Sequence, residues 1–263
     1  MEEKGCCNQV QTTSCCSGSE LSTDESTIIN PKNPKKTISK DDINKIKEIA
    51  SELGIVSIGY TKLSDDVFLN DDNLEYQNAI VLTMPIGMDI INEDPGMESQ
   101  KLNDKLYKKF GKATYLISDE LRKLGYETQV GHPREELTDF STLGQDAGLG
   151  YIGKSGLLIT PELASRVKVS AILTSIENLP FNEFNEYEWI REYCKRCSKC
   201  IKACPELALL EKEDKSDKAY LIEERCIGCS DGCTYCIESC PFYEKGYDWV
   251  KSKQDKIDNK LKK

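Results

Sequence analysis

Cys194-Lys-Arg-Cys197-Ser-Lys-Cys200-Ile-Lys-Ala-Cys204-Pro205 is a C-x2-C-x2-C-x3-C-P run without deviation. Three thiolates at two-residue gaps fold a short loop around one corner of a four-iron cubane, so that each sulfur faces a different iron. The fourth cysteine, set off by the x3 step and turned by the proline, points away and ligates the other cluster in two-cluster ferredoxins. A second run closes with Cys233-x2-Cys236-x3-Cys240-Pro241, and the segment from Cys194 to Cys240 holds nine of the chain's thirteen cysteines. Paired runs predict two 4Fe-4S clusters, and with them a protein that moves electrons.

Structural zinc is the competing reading, because C-x2-C pairs also bind zinc. Zinc asks for two separated pairs, not for a third cysteine at x2 or a proline after the fourth. A disulfide framework is disfavoured, since no signal peptide or twin-arginine segment is read at the start and cubanes imply a reducing compartment. By the crossover rule the first cluster takes Cys194, Cys197, Cys200 and Cys240. The second takes Cys204, Cys233, Cys236 and one of Cys226 or Cys229. Cys229 stands one residue too far from Cys233 for the tight loop, and Cys226 needs a longer excursion. Cys226 is the favoured ligand, with Cys229 as a spare.

Outward from this module, 263 residues allow about one and a half ordinary domains. The formal net charge of −10 disfavours nucleic acid, whose phosphates reward basic partners. No apolar run approaches the ~20 residues that span a bilayer, so a cytoplasmic protein without membrane partners is expected. The single histidine, His132, excludes histidine-rich metal sites. It stands in a polar loop beside Pro133, where a solvated role outweighs a catalytic one.

Residues 1–37 lack apolar periodicity and read as a disordered tail. Ser39 is a good N-cap for a helix carrying Ile43, Ile46, Ala50 and Leu53 on one face, stopped by Gly54. Strands are expected at 55–60, 79–84 and 126–130. A long amphipathic helix carries Leu102, Leu106, Phe110, Ala113, Ile117 and Leu124, and ends at Gly125. A short helix near 141–147 precedes a Gly-rich stretch at 148–153. The apolar runs 157–160 and 167–173 read as strands paired with each other across a 161–166 turn. The organisation is thus a tail (1–37), a mixed domain (38–180), a cluster domain (181–245) and a Lys-rich, solvated helix or tail (246–263).

Gly148-Leu-Gly150-Tyr-Ile-Gly153 matches G-x-G-x-x-G. A dinucleotide fingerprint must follow a strand and open a helix; here a helix precedes and a strand follows, and 167–173 lacks the required carboxylate. A better match is wider. Asp146-Ala-Gly-Leu-Gly-Tyr-Ile-Gly-Lys154-Ser-Gly-Leu-Leu-Ile-Thr160-Pro161-Glu162, then Arg166-Val-Lys-Val-Ser-Ala-Ile-Leu-Thr174, resembles the epoxyqueuosine reductase family and its relatives the reductive dehalogenases, over about residues 38–243.

That resemblance implies an α+β fold: a nitroreductase-like α/β sandwich with a C-terminal two-cluster ferredoxin-like domain. It implies an oxidoreductase in which two clusters relay electrons from a ferredoxin or flavodoxin-type donor to a base-off cobalamin and a small-molecule substrate. Gly148, Gly150, Gly153 and Lys154 would lie against the corrin, where absent side chains permit close approach. The alternative is that these glycines only serve tight turns between helix and hairpin.

The chain departs from the family pattern in several places. Arg134 stands where the family has its proton-donating aspartate, with Glu135, Glu136 and Asp139 nearby, so no catalytic acid is carried over. The Asp-Tyr-His signature is replaced by Leu102-Asn-Asp-Lys-Leu-Tyr107, and the tRNA-binding helical repeats have no room after residue 245. Action on tRNA is not expected. Two other functions stay open: a non-catalytic electron carrier for a partner enzyme, and a soft-metal-responsive protein using Cys6, Cys7, Cys15 and Cys16, since softness selects sulfur ligands.

Overall fold

Two eight-residue strands dominate the centre of the protein. They are β2 (Asn78–Pro85), Asn-Ala-Ile-Val-Leu-Thr-Met-Pro, and β6 (Val167–Thr174), Val-Lys-Val-Ser-Ala-Ile-Leu-Thr. Nearly every side chain on both is buried, as expected of strands covered on both faces. They pair antiparallel, Val81 opposite Ala171, and are flanked by β1 (Ser57–Lys62) on β2 and β3 (Thr128–Gly131) on β6. The sheet order is β1-β2-β6-β3. The computed structural model describes residues 25–64, 76–131, 139–212, 218–228 and 230–261. His132, Arg134, Glu135, Glu136, Cys229 and the four cysteines of 1–24 lie outside them.

Alternation along the strands supplies two cores. Ile80, Leu82, Met84 and Ile172 face α1 (Lys40–Glu52) and α3 (Met97–Lys123), packing on Ile46, Ala50, Phe110, Ile117 and Leu121. Ala79, Val81, Ala171 and Leu173 face the other way, onto Leu143 of α4 (Phe140–Asp146), Ala147, Leu149 and Leu158. Ser39 caps α1, its hydroxyl accepting from the Asp42 amide at 3.0 Å. A short α2 (Met88–Ile91) joins β2 to α3.

The expected strand pairing of 157–160 with 167–173 is corrected. The partner of β5 (Leu158–Ile159) is β4 (Tyr151–Ile152), Tyr151 opposite Ile159, in a separate hairpin. Both edges of β6 are already taken by β2 and β3, and Ala164 at φ +53 turns the chain back sharply through a Thr160–Ala164 bridge.

Residues 25–37, expected within a disordered tail, are also corrected in the described part. Thr27 donates to Asp119 through its amide (3.0 Å) and hydroxyl (2.5 Å), and the Ile28 amide donates at 3.1 Å. Arg122 donates to the Ile28 carbonyl, the Lys35 amide to Gly125 O and the Glu177 amide to Lys36 O. Asp119 is buried, so these donors satisfy a carboxylate removed from water. The segment is held by polar anchors rather than by an apolar face.

The remaining elements are short: α5 (Trp189–Cys197), α6 (Lys199–Ala203), β7 (Leu209–Leu210) paired with β8 (Tyr220–Leu221), α7 (Tyr235–Glu238) and α8 (Pro241–Glu244). Two apolar clusters tie them to the sheet region. One joins Ile159 to Ile190, Cys194, Phe242 and Val250; the other joins Ile86, Ile90 and Ile91 to Ile237. The terminal helix expected at 246–263 is α9 (Tyr247–Leu261), and it is not solvated all round. Val250 and Gln254 are buried, and Gln254 accepts from Arg196. Among the described residues, no helix is long and apolar enough to cross a membrane.

Candidate functional site

The eight assigned cysteines stand around two cavities. Cys194 and Cys197 come from α5, Cys200 from α6 and Cys240 from the start of α8; together they line the first cavity. Cys204, Cys226, Cys233 and Cys236 line the second, beside Pro205, Ile227 and Gly228. Sequence neighbours are thus separated in space. Cys204 closes the first run yet faces the second cavity, and Cys240 closes the second run yet faces the first. Pro205 and Pro241 each follow the cysteine that crosses over. Among the described residues none of these cysteines is in a disulfide. No three His, Cys, Asp or Glu side chains among them form a site for a single metal ion.

Left-handed backbone shapes both loops. Ser198, φ +48, lets the chain leave α5 and enter α6 immediately, which puts Cys197 and Cys200 on opposite sides of one tight turn. Gly232, φ +67, precedes Cys233, and a methyl group there would sit 2.6 Å from Ser99 Oγ and 2.7 Å from Ser99 C. The Ser99 hydroxyl donates to Gly232 O at 3.0 Å, and the Gly96 amide to Asp231 O at 2.8 Å. The second loop is therefore docked on the N-terminus of α3.

Burial pushes the thiols up: Cys194 to about 12 and Cys200 to about 11, with Cys233, Cys236 and Cys240 raised in the same direction. Neighbouring cysteines add to the shift, since thiolates gathered in one ring repel each other. Hydrogen bonds oppose it. The backbone of Lys154 acts in this sense on Cys194, and Ser165 with the backbone of Phe242 on Cys240. The Ala208 amide donates to Cys204 at 3.2 Å. A positively charged iron centre would reverse the shift, because the ligand is the thiolate and loading releases protons.

The glycine-rich stretch packs closely against the protein's own atoms. Gly148, at φ +69, ends α4, and a methyl group on it would collide with the Asn182 side chain; one on Gly150 would collide with the Ile159 carbonyl. On Gly153 a methyl group would lie 2.6 Å from Ile159 Cδ1. Asn185 Nδ2 ties Gln145 O to Gly150 O at 2.8 Å each. The space beside Gly150 and Gly153 is thus filled by the protein's own hairpin, and that beside Gly148 by Asn182.

Lys154 points to the first cysteine cavity, which it lines. Its ammonium donates to Glu211 Oε1 at 2.6 Å, Ser198 Oγ at 3.1 Å and Lys195 O at 3.3 Å, with the lysine side chain only 2% exposed.

One candidate pair was absent from the sequence reading. Lys168 Nζ on β6 donates to the Tyr107 hydroxyl on α3 at 2.7 Å, and lies 4.0 Å from that ring's centre. Lys168 is the one charged residue in an otherwise apolar or small-polar strand, a signal the sequence did carry. Asp139, weighed as a nearby acid, is the N-cap of α4 and accepts from the Ser141 and Thr142 amides.

The description of a 4Fe-4S dicluster domain matches residues 188–241. The chain is 29% identical over 162 residues to tetrachloroethene reductive dehalogenases of Desulfitobacterium hafniense and Dehalobacter restrictus. That match takes in 61% of this chain and 28% of the length of those relatives. Among solved structures, a catabolic reductive dehalogenase superposes with a TM-score of 0.68 at 17% identity, over 87% of this chain and 36% of that one. Epoxyqueuosine reductase from Streptococcus thermophilus gives 0.51 at 20% identity, over 77% and 66%. The chain is thus a mixed helix-and-sheet protein with a C-terminal 4Fe-4S ferredoxin-type domain, similar to iron–sulfur reductases.

Proposed function

We propose that this protein is an iron–sulfur reductase holding two 4Fe-4S clusters, the first on Cys194, Cys197, Cys200 and Cys240 and the second on Cys204, Cys226, Cys233 and Cys236. The observation that carries the reading is the exchange of Cys204 and Cys240 between the two rings. Zinc sites built from local pairs have no use for such an exchange. The rings fit the clusters: each offers four thiols around one cavity, and none of the eight thiols is in a disulfide. Bound clusters would supply one-electron storage at potentials set by hydrogen bonds to sulfur, nearby charge and solvent.

A donor of ferredoxin or flavodoxin type and a small-molecule substrate complete this reading, with no role for nucleic acid. The first part of the chain, 38–180, is taken as a nitroreductase-like sandwich, supported by helices α1 and α3 on one face of the sheet and α4 with its hairpin on the other. The second, 181–245, is the cluster domain. The Tyr107–Lys168 pair favours a reductase over a simple carrier. The ammonium donates to the phenol oxygen, so the phenol's own proton is directed to another acceptor, as reduction with proton transfer requires.

Cobalamin is supported by the likeness to reductive dehalogenases alone. Asn182 packs beside Gly148 and the hairpin beside Gly150 and Gly153, while the Lys154 ammonium is bound by Ser198 and Glu211, so no corrin contact is assigned to these residues and no step is derived through that cofactor. Anaerobic reconstitution of the full chain with ferrous iron and sulfide tests the central reading, which expects about eight irons. About four irons, or a stoichiometric uptake of zinc in their place, would contradict it. Adding cobalamin to the loaded protein separates the two roles: retained cobalt with a base-off spectrum supports the reductase, and its absence favours the carrier.

A further inference from the structure

Lys154 is an unusual residue for its surroundings. A lysine side chain 2% exposed is rare, because removing an ammonium from water is costly unless it is paired. Its partner Glu211 is 41% exposed, so the cation sits at the dry end of the pair and the anion at the wet end, where water screens it. Lys154 is one of the residues that line the first cysteine cavity. The backbone of the same residue opposes the rise of the Cys194 thiol. Ser198, which receives a second hydrogen bond from the ammonium, stands between Cys197 and Cys200.

Among the described residues that line the second cavity there is no buried lysine or arginine. The Ala208 amide donates to Cys204 and the Tyr235 amide to Cys233. The cation among those described lining residues, Arg225, is exposed and therefore screened. At the first ring the backbone of Ile201 opposes the rise of the Cys200 thiol, and Ser165 with the backbone of Phe242 that of Cys240.

Resting on the two-cluster reading, we infer that Lys154 is a potential-setting residue. Its buried charge stabilises the reduced, more negative state of the group on Cys194, Cys197, Cys200 and Cys240, making the first ring the higher-potential of the two. Positive charge and N–H donors near sulfur both favour the added electron. The ordering is a property of this chain's own residues, since the two rings are alike in ligands.

The test is an EPR-monitored redox titration of the reconstituted full chain, with dithionite as reductant, for wild type, Lys154→Gln and Glu211→Gln. In Lys154→Gln the higher midpoint potential should fall by at least a tenfold change in the redox equilibrium, about 59 mV for a one-electron couple, while the lower one stays in place. Glu211→Gln removes the screened anion and should raise the same midpoint. Because Glu211 is on the surface, that variant decides the question if Lys154→Gln fails to fold. Unchanged midpoints, equal shifts in both, or a shift confined to the lower one would overturn the inference. Fewer than about eight irons in wild type would overturn the two-cluster reading itself, and this inference with it.

Discussion

The two cysteine rings share a ligand pattern and differ in what holds them. Around the first, Trp189, Tyr193, Phe242 and Tyr247 pack with ring centres 5.4 to 5.9 Å apart, and α9 lies over them through Val250. Such aromatic contacts add stabilisation beyond the area they bury. Around the second, the segment 230–233 is anchored by hydrogen bonds from Ser99 and Gly96 at the start of α3. The first ring is set in a core; the second is docked on a helix end. Spacing in the sequence makes the rings look equivalent, and their surroundings make them different.

That difference can be broken from either side. The largest effect belongs to the ligands. Cys240→Ser should remove the first cluster, leaving about four irons, although Cys240 belongs to the second run. Cys226→Ser should likewise cost about four irons and Cys229→Ser none. The reverse result would move the ligand to Cys229. Next is the aromatic core: Phe242→Ala should destabilise the apoprotein by about 3–5 kcal/mol in chemical denaturation, since Phe242 is 1% exposed. Iron should then be lost faster from the first ring than from the second.

Gly232→Ala attacks the other ring. A left-handed alanine costs about 1–2 kcal/mol, and the contact with Ser99 adds to it. The loss should appear as weaker iron retention at the second ring, with the first ring's EPR signal intact. The smallest effect is a control distant from both. Tyr126→Phe removes the 2.7 Å hydrogen bond to Asp42 and should cost about 1 kcal/mol without changing iron content. Burial, together with Asp42, pushes the Tyr126 hydroxyl up to about 12. A raised tyrosine contributes stability that is whole below its unfolded value near 10 and is lost as pH rises towards 12. The phenylalanine variant should lack that alkaline loss.

Legibility in the sequence followed the range of the interaction. The grouping of eight cysteines into two cavities was readable because ligand spacing and the following prolines are local chemistry. Ser39, Gly54 and Gly125 marked helix ends for the same reason. The partner of Leu158–Ile159 was not readable, since two apolar runs joined by a short turn look like a hairpin whether or not the second strand's edges are already taken. The anchoring of residues 25–37 escaped because it depends on Asp119, some ninety positions away, rather than on apolar periodicity. Lys154 was assigned towards a corrin by resemblance. Only the fold shows that its ammonium turns to Ser198 and Glu211. Lys168 was visible as a lone cation in an apolar strand, but its partner Tyr107 was not.

The measurement that bears most directly on the two-ring account is the iron content and EPR redox titration of Cys204→Ala. This cysteine ends the first run but lines the second cavity. The account predicts about four irons and a surviving signal at the higher potential, still lowered by Lys154→Gln. Loss of the higher-potential signal, with the lower one retained, would show that each run binds its own cluster and would contradict it.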